Sequence, residues 1–139
     1  MFLPGLTADH TLFGAQMDHF SGEANCLVWD APAHGKSRPY PFDFSMDEYA
    51  RILHDILEAE NAKNPVLVGQ SLGGYVSQAF IDLYPGEVCG FISIDSAPLK
   101  RKYYLAWEVK ALHHTKGMYL SIPWALLKPW GVWGAAAIA

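Results

Sequence analysis

The sequence predicts an α/β protein: a parallel sheet with flanking helices over residues 1–99, followed over 100–139 by the start of a helical cap. Three observations predict it. Short apolar runs at 24–29, 65–68 and 88–94 alternate with stretches whose apolar residues recur every three or four positions. That order of strand, helix and strand calls for right-handed crossovers and a parallel sheet covered on both faces. The composition then changes near Pro98. Residues 1–99 carry 4 basic and 13 acidic side chains, whereas 100–139 carry 6 and 1, together with four of the five tryptophans. Finally, 139 residues, 51% apolar and 17% charged, suffice for one domain with a real core and are too few for two.

Taken in order, Met1-Phe2-Leu3 reads as the end of a strand, and Pro4-Gly5 turns the chain into a polar loop over 6–10. Leu12, Phe13, Ala15, Met17 and Phe20 mark a short amphipathic helix over 11–20. Residues 24–29 suit a buried parallel strand that ends at Asp30. Three prolines and Gly35 make 31–44 a loop. Ser45-Met46-Asp47-Glu48 is a capping box, in which the serine oxygen accepts from the third helical N–H and the glutamate reaches back. Met46, Tyr49, Leu53, Ile56 and Leu57 then form one apolar helix face. A strand at 65–68, a helix at 72–84 stopped by Pro85-Gly86, and a strand at 88–94 ending at Asp95 complete the sheet.

Beyond Pro98, residues 101–114 and 118–127 suggest two helices, the second interrupted by Pro123. Lys128 is the single charge from Gly117 to Ala139, which raises the question of a membrane span. Pro123, Pro129, Gly131 and Gly134 cut that stretch into pieces shorter than the ~20 residues a span needs, which argues against membrane contact and for a lid over an apolar pocket.

A net charge of −4 argues against a nucleic-acid partner. Cys26 and Cys89 sit in apolar runs and read as small buried hydrophobes. The N-terminus lacks a basic region ahead of an apolar stretch, so a reducing, cytoplasmic setting is expected. No metal cluster, phosphate loop or nucleotide fingerprint is visible, so no cofactor and no metal are expected. Oligomeric state is left open.

Gly69-Gln70-Ser71-Leu72-Gly73 matches G-x-S-x-G, with a predicted strand directly before it and a predicted helix directly after. The pentapeptide alone is weak, and the context raises it. A serine in such a turn projects its oxygen above the sheet, and side chains at Gly69 or Gly73 would collide with neighbouring backbone. The helix from Leu72 aims its free N–H groups and positive dipole end at the same spot.

Three blocks carry a resemblance to the α/β-hydrolase fold superfamily, in its capped serine-hydrolase branch. They are Phe2-Leu3-Pro4-Gly5-Leu6-Thr7, similar to the family's oxyanion turn; Asp30-Ala31-Pro32-Ala33-His34-Gly35-Lys36-Ser37, similar to the loop after its fourth strand; and Gly69 to Gly73, followed by Gly74. Their order and spacing fit from residue 1 to about 99, a partial hydrolase core, and the chain resembles a truncated middle portion of a capped hydrolase.

The resemblance implies Ser71 as nucleophile, the backbone N–H groups of Leu6 and Leu72 as oxyanion hole, and Gly69 and Gly73 as elbow glycines. Pro4 stands where the family usually has histidine; it is rigid and lacks an N–H, which alters the loop's shape without removing the Leu6 donor. The family's order is serine, acid, histidine. After Ser71 the acids are Asp82, Glu87, Asp95 and Glu108, and Asp95, at a strand end, is a candidate orienter at a position more often structural. The later histidines, His113 and His114, fall in the presumed cap, so acid and histidine are expected beyond Ala139. His34 is expected to fix its loop by hydrogen bonding, His10 to lie near the oxyanion loop where it can meet substrate, and His19 and His54 to sit on helix surfaces.

The reading is a serine hydrolase for an ester, thioester or related acyl bond of an apolar small molecule, inactive as this fragment. Serine at the elbow argues against the dehalogenases and epoxide hydrolases of this fold, whose nucleophile is a carboxylate. The alternative is a non-catalytic small-molecule-binding protein, or a degraded remnant, on the same scaffold.

Overall fold

The computed structural model describes residues 1–39 and 44–121. Three parallel strands, β1 (Phe2–Leu3), β2 (Val66–Gln70) and β3 (Gly90–Ile94), lie in the order β1-β2-β3, with Leu3 opposite Gly69 and Gln70 opposite Ile94. The register brings the C-terminal ends of all three strands to one edge, where the site is built. The strand expected over 24–29 shrinks to one parallel bridge between Phe2 and Val28. Its neighbour is the two-residue β1, which has no ladder left to offer it.

Ser45 caps helix α2 (Met46–Ala59) as its sequence requires: the Glu48 amide donates to Ser45 Oγ at 3.3 Å and the Ser45 amide to Glu48 Oε2 at 2.7 Å. Such a cap stabilises a helix by about 1 kcal/mol. Helix α3 (Leu72–Leu83) stops at Tyr84, just before Pro85-Gly86. Both helices lie on the same face of the sheet. Leu53 from α2, Val76 and Phe80 from α3, and Leu3 and Leu67 from the strands are almost completely buried together. Each such side chain contributes roughly 1.5–3 kcal/mol by leaving water.

The opposite face departs from the expectation of two covered faces. A 3₁₀ turn (His10–Phe13), α1 (Gly14–Phe20) and residues 24–27 border it without covering it, with Phe13 packed on Phe2 at 5.0 Å between ring centres. Val66, Ile92 and Ile94 stay 41%, 51% and 40% exposed, and they line an open apolar groove of about 710 Å³. The cysteines also differ from the reading as buried hydrophobes. Cys89 is exposed because β3 starts only at Gly90, and Cys26 is half-buried on the rim of that groove.

The chain divides into two units between Leu99 and Lys100. The second contains a 3₁₀ turn (Arg101–Tyr103) and one helix, α4 (Ala106–Ser121). The two helices expected here are thus a single one through residue 121, with Gly117 inside it, a residue tolerated in a helix at a cost of about 1 kcal/mol. Residues 122–127 and Pro123, which the second expected helix included, lie outside the described residues. No described helix is long and apolar enough to cross a membrane.

Candidate active site

Ser71 joins β2 to α3 with φ 48° and ψ −111°, a left-handed φ that costs a non-glycine residue on the order of 1–2 kcal/mol. Its backbone is held from several sides. The amide donates to the Ile94 carbonyl at 2.9 Å. The carbonyl accepts from the Gly74 and Tyr75 amides at 3.0 and 3.3 Å and from Ser96 Oγ at 2.9 Å. One turn on, Ser77 Oγ donates to the Gly73 carbonyl at 2.8 Å. The side-chain hydroxyl, by contrast, has no hydrogen-bond partner among the described residues.

The glycines around Ser71 are dictated by space. A methyl at Gly69 would stand 2.5 Å from the Gly73 carbonyl oxygen, and one at Gly73 would overlap the Leu3 carbonyl. Helix and strands therefore meet backbone to backbone at this corner. Leu72, first residue of α3, carries an N–H that the helix itself cannot pair, at the positive end of the helix dipole.

The loop after β1 runs against the same corner. A methyl at Gly5 would lie 3.1 Å from Ser71 Cβ. Gly5 to Ala8 form a turn closed by the Ala8 amide on the Gly5 carbonyl at 3.2 Å, with Thr7 at φ 68°. A left-handed β-branched residue is strained, so the turn needs anchors at both ends. Leu6 lies inside this turn, half-exposed, and its N–H has no acceptor among the described residues.

The second anchor is a feature that sequence reasoning missed. The Asp30 carboxylate accepts from the His10 amide at 2.7 Å, from His10 Nδ1 at 2.9 Å, and from the Lys36 amide at 2.8 Å. Since an ionised carboxylate only accepts, Nδ1 carries the proton. Burial opposes the charge on Asp30, whose side chain is 8% exposed. The Lys36 and His10 amides and the His10 ring outweigh it and hold the carboxyl below the usual carboxylate range. Ser37 Oγ donates to the Asp30 carbonyl at 2.8 Å, and the buried His34 ring bonds the Pro32 carbonyl at 2.9 Å through Nδ1. The available signal was an acid closing an apolar run, with Gly35 and Ser37 five and seven residues on.

The other sequence candidates are placed as follows. His10, expected near the oxyanion loop, closes the loop that carries Leu6, with its ring on Asp30. Asp95 is exposed at φ 50°, immediately after β3. His113 and His114 are exposed on α4, in the second unit. His54, expected on a helix surface, is stacked on Tyr84 at 4.1 Å, with Nε2 3.4 Å from Glu87 Oε2. Asp9, His10 and Asp30 place potential ligand atoms within 4.8 Å of one another. Hydrogen bonds account for this cluster without an ion, since Asp9 accepts from the Thr11 amide at 2.9 Å while Asp30 holds His10 and Lys36.

Residues 1–116 match the family model for the alpha/beta hydrolase fold. The chain is 35% identical over 78 residues to a probable serine hydrolase of Drosophila melanogaster, an alignment covering 54% of this chain and 24% of that protein. It is 31% identical over 93 residues to Lipase 3 of a Moraxella species, covering 61% of this chain and 30% of the lipase. The structure is similar to that of a thermophilic esterase from Thermogutta terrifontis, with a TM-score of 0.66 and 28% identity over 73% of this chain and 38% of the esterase. The chain thus spans between a quarter and two fifths of these relatives' lengths.

Proposed function

Because the chain belongs to the alpha/beta hydrolase fold family, we propose that the whole protein is a serine hydrolase cleaving an ester, thioester or related acyl bond of an apolar small molecule. The observation that carries this is Ser71 at φ 48° on the sharp bend between β2 and α3, its hydroxyl unpaired among the described residues and beside a helix N-terminus. Ser71 Oγ attacks the acyl carbonyl. The N–H groups of Leu6 and Leu72 stabilise the oxyanion, the leaving group departs, and water releases the acyl group from the serine. Gly69 and Gly73 permit the close packing that holds the nucleophile up. The histidine that takes the serine proton, and the acid that orients it, come from outside residues 1–139, and the segment from residue 100 on begins a cap. Residues 1–139 alone then turn over little, since losing a triad member costs several orders of magnitude.

Fluorophosphonate labelling of the whole protein tests the assignment. Ser71 is the expected site, and labelling that survives Ser71→Ala removes it from the role. For residues 1–139 alone, p-nitrophenyl acetate hydrolysis is expected near background. Robust hydrolysis abolished by Ser71→Ala would show that this segment holds its own base.

A further inference from the structure

The loop that carries Leu6 is fixed at two places. At one end Leu3 pairs with Gly69, and Gly5 lies against Ser71. At the other end His10 is attached twice, by its amide and its ring, to the carboxylate of Asp30. Between the two lies the turn from Gly5 to Ala8, with Thr7 at φ 68°. A strained turn keeps its shape only while both ends are held.

Asp30 is itself well placed to serve as a reference point. The Ser37 hydroxyl holds its carbonyl at 2.8 Å and the Lys36 amide its carboxylate at 2.8 Å. The loop supplying those groups is pinned from inside by His34, which is 3% exposed. A continuous series of fixed contacts therefore runs from that loop through Asp30 and His10 to the Leu6 turn.

We propose that Asp30 and His10 are positioning residues that set the aim of the Leu6 N–H, with the doubly attached His10 as the link between the two loops. The proposal rests on the oxyanion role given to Leu6 above. An oxyanion donor acts on the transition state more than on bound substrate, so misaiming it lowers kcat and leaves KM nearly unchanged. A structural role alone would lower the amount of folded enzyme and would not single out kcat.

The test is steady-state hydrolysis of a p-nitrophenyl ester by the whole protein, comparing wild type with Asp30→Ala, His10→Ala, His10→Asn and Ser71→Ala, each corrected for folded fraction. Asp30→Ala and His10→Ala are expected to lower kcat by about 10- to 100-fold, with KM within about threefold. His10→Asn keeps a short side-chain donor on the same loop and is expected to recover a large part of that loss. Folded His10→Ala and His10→Asn enzymes that keep kcat within twofold of wild type overturn the proposal, as does a loss fully accounted for by unfolded protein or carried by KM. Activity that persists in Ser71→Ala overturns the reading on which the proposal rests, an outcome distinct from the others.

Discussion

The elbow at Ser71 and the loop that starts at Asp30 hold unusual backbone in opposite ways. At the elbow, Ser71 stays at φ 48° because backbone meets backbone around it: Gly69 against Gly73, and Gly73 against Leu3. At the Asp30 loop, which holds Ala33 at φ 68°, Gly35 at φ 45° lies against a carboxylate whose hydrogen bonds tie the loops together. The first device is steric and uncharged, with almost no freedom to relax. The second is electrostatic and rests on the hydrogen bonds of one short side chain. The elbow therefore suits the nucleophile proposed at Ser71, which must not shift, while the clamp ties down the turn that leads from β1 to His10.

That contrast predicts unequal sensitivity to the same insult, an added methyl. Gly73→Ala places its Cβ on the Leu3 carbonyl, so β1 or α3 has to move. The expected cost is about 3 kcal/mol, seen as a lower urea midpoint at unchanged m-value. Gly35→Ala pushes against the Asp30 carboxylate at a φ of 45°, and that side chain can rotate away at the expense of its hydrogen bonds. About 1–2 kcal/mol is expected there. If Gly35→Ala costs as much as Gly73→Ala, the clamp is as rigid as the elbow and the distinction is lost.

The same contrast explains what the sequence showed. Steric devices leave a mark in residue type: glycines at 69 and 73 around a serine, between an apolar run and a helix, identify the turn before any coordinates. The capping box at Ser45 and Glu48 was legible for a similar reason, as both partners are local and of specific type. The clamp was not. Two of the donors to Asp30 are backbone amides, which have no sequence signature, and His10 lies 20 residues away along the chain. The uncovered sheet face was misread because periodicity shows which side chains are apolar and not whether a helix is present to cover them. Val66 and Ile94 look like core residues in sequence, yet are 41% and 40% exposed.

The smallest effect expected is a local one, in acid. Asp30 titrates below the usual carboxylate range in the folded chain, so its charge contributes stability above the unfolded carboxyl pKa of about 4, and that contribution is lost as pH falls through the lower folded value. Asp9, held low by the Thr11 hydroxyl and amide, and Glu48, held low by the Ser45 hydroxyl and amide, lose stability in the same direction, so a global melting curve cannot isolate the clamp. Individual amides can. The His10 and Lys36 amides donate to Asp30, while the Ser71 amide donates to the uncharged Ile94 carbonyl. The groups facing Asp30 that matter here are Asp9, the His10 ring and Lys36, the last through its backbone. Between about pH 5 and pH 3, hydrogen-exchange protection of His10 and Lys36, corrected for intrinsic rates, is expected to fall while that of Ser71 holds. Asp30→Asn should remove the pH dependence of the first two amides without altering the third. Equal loss at all three would mean that acid opens the unit as a whole, and that the charged clamp and the uncharged elbow are not independent.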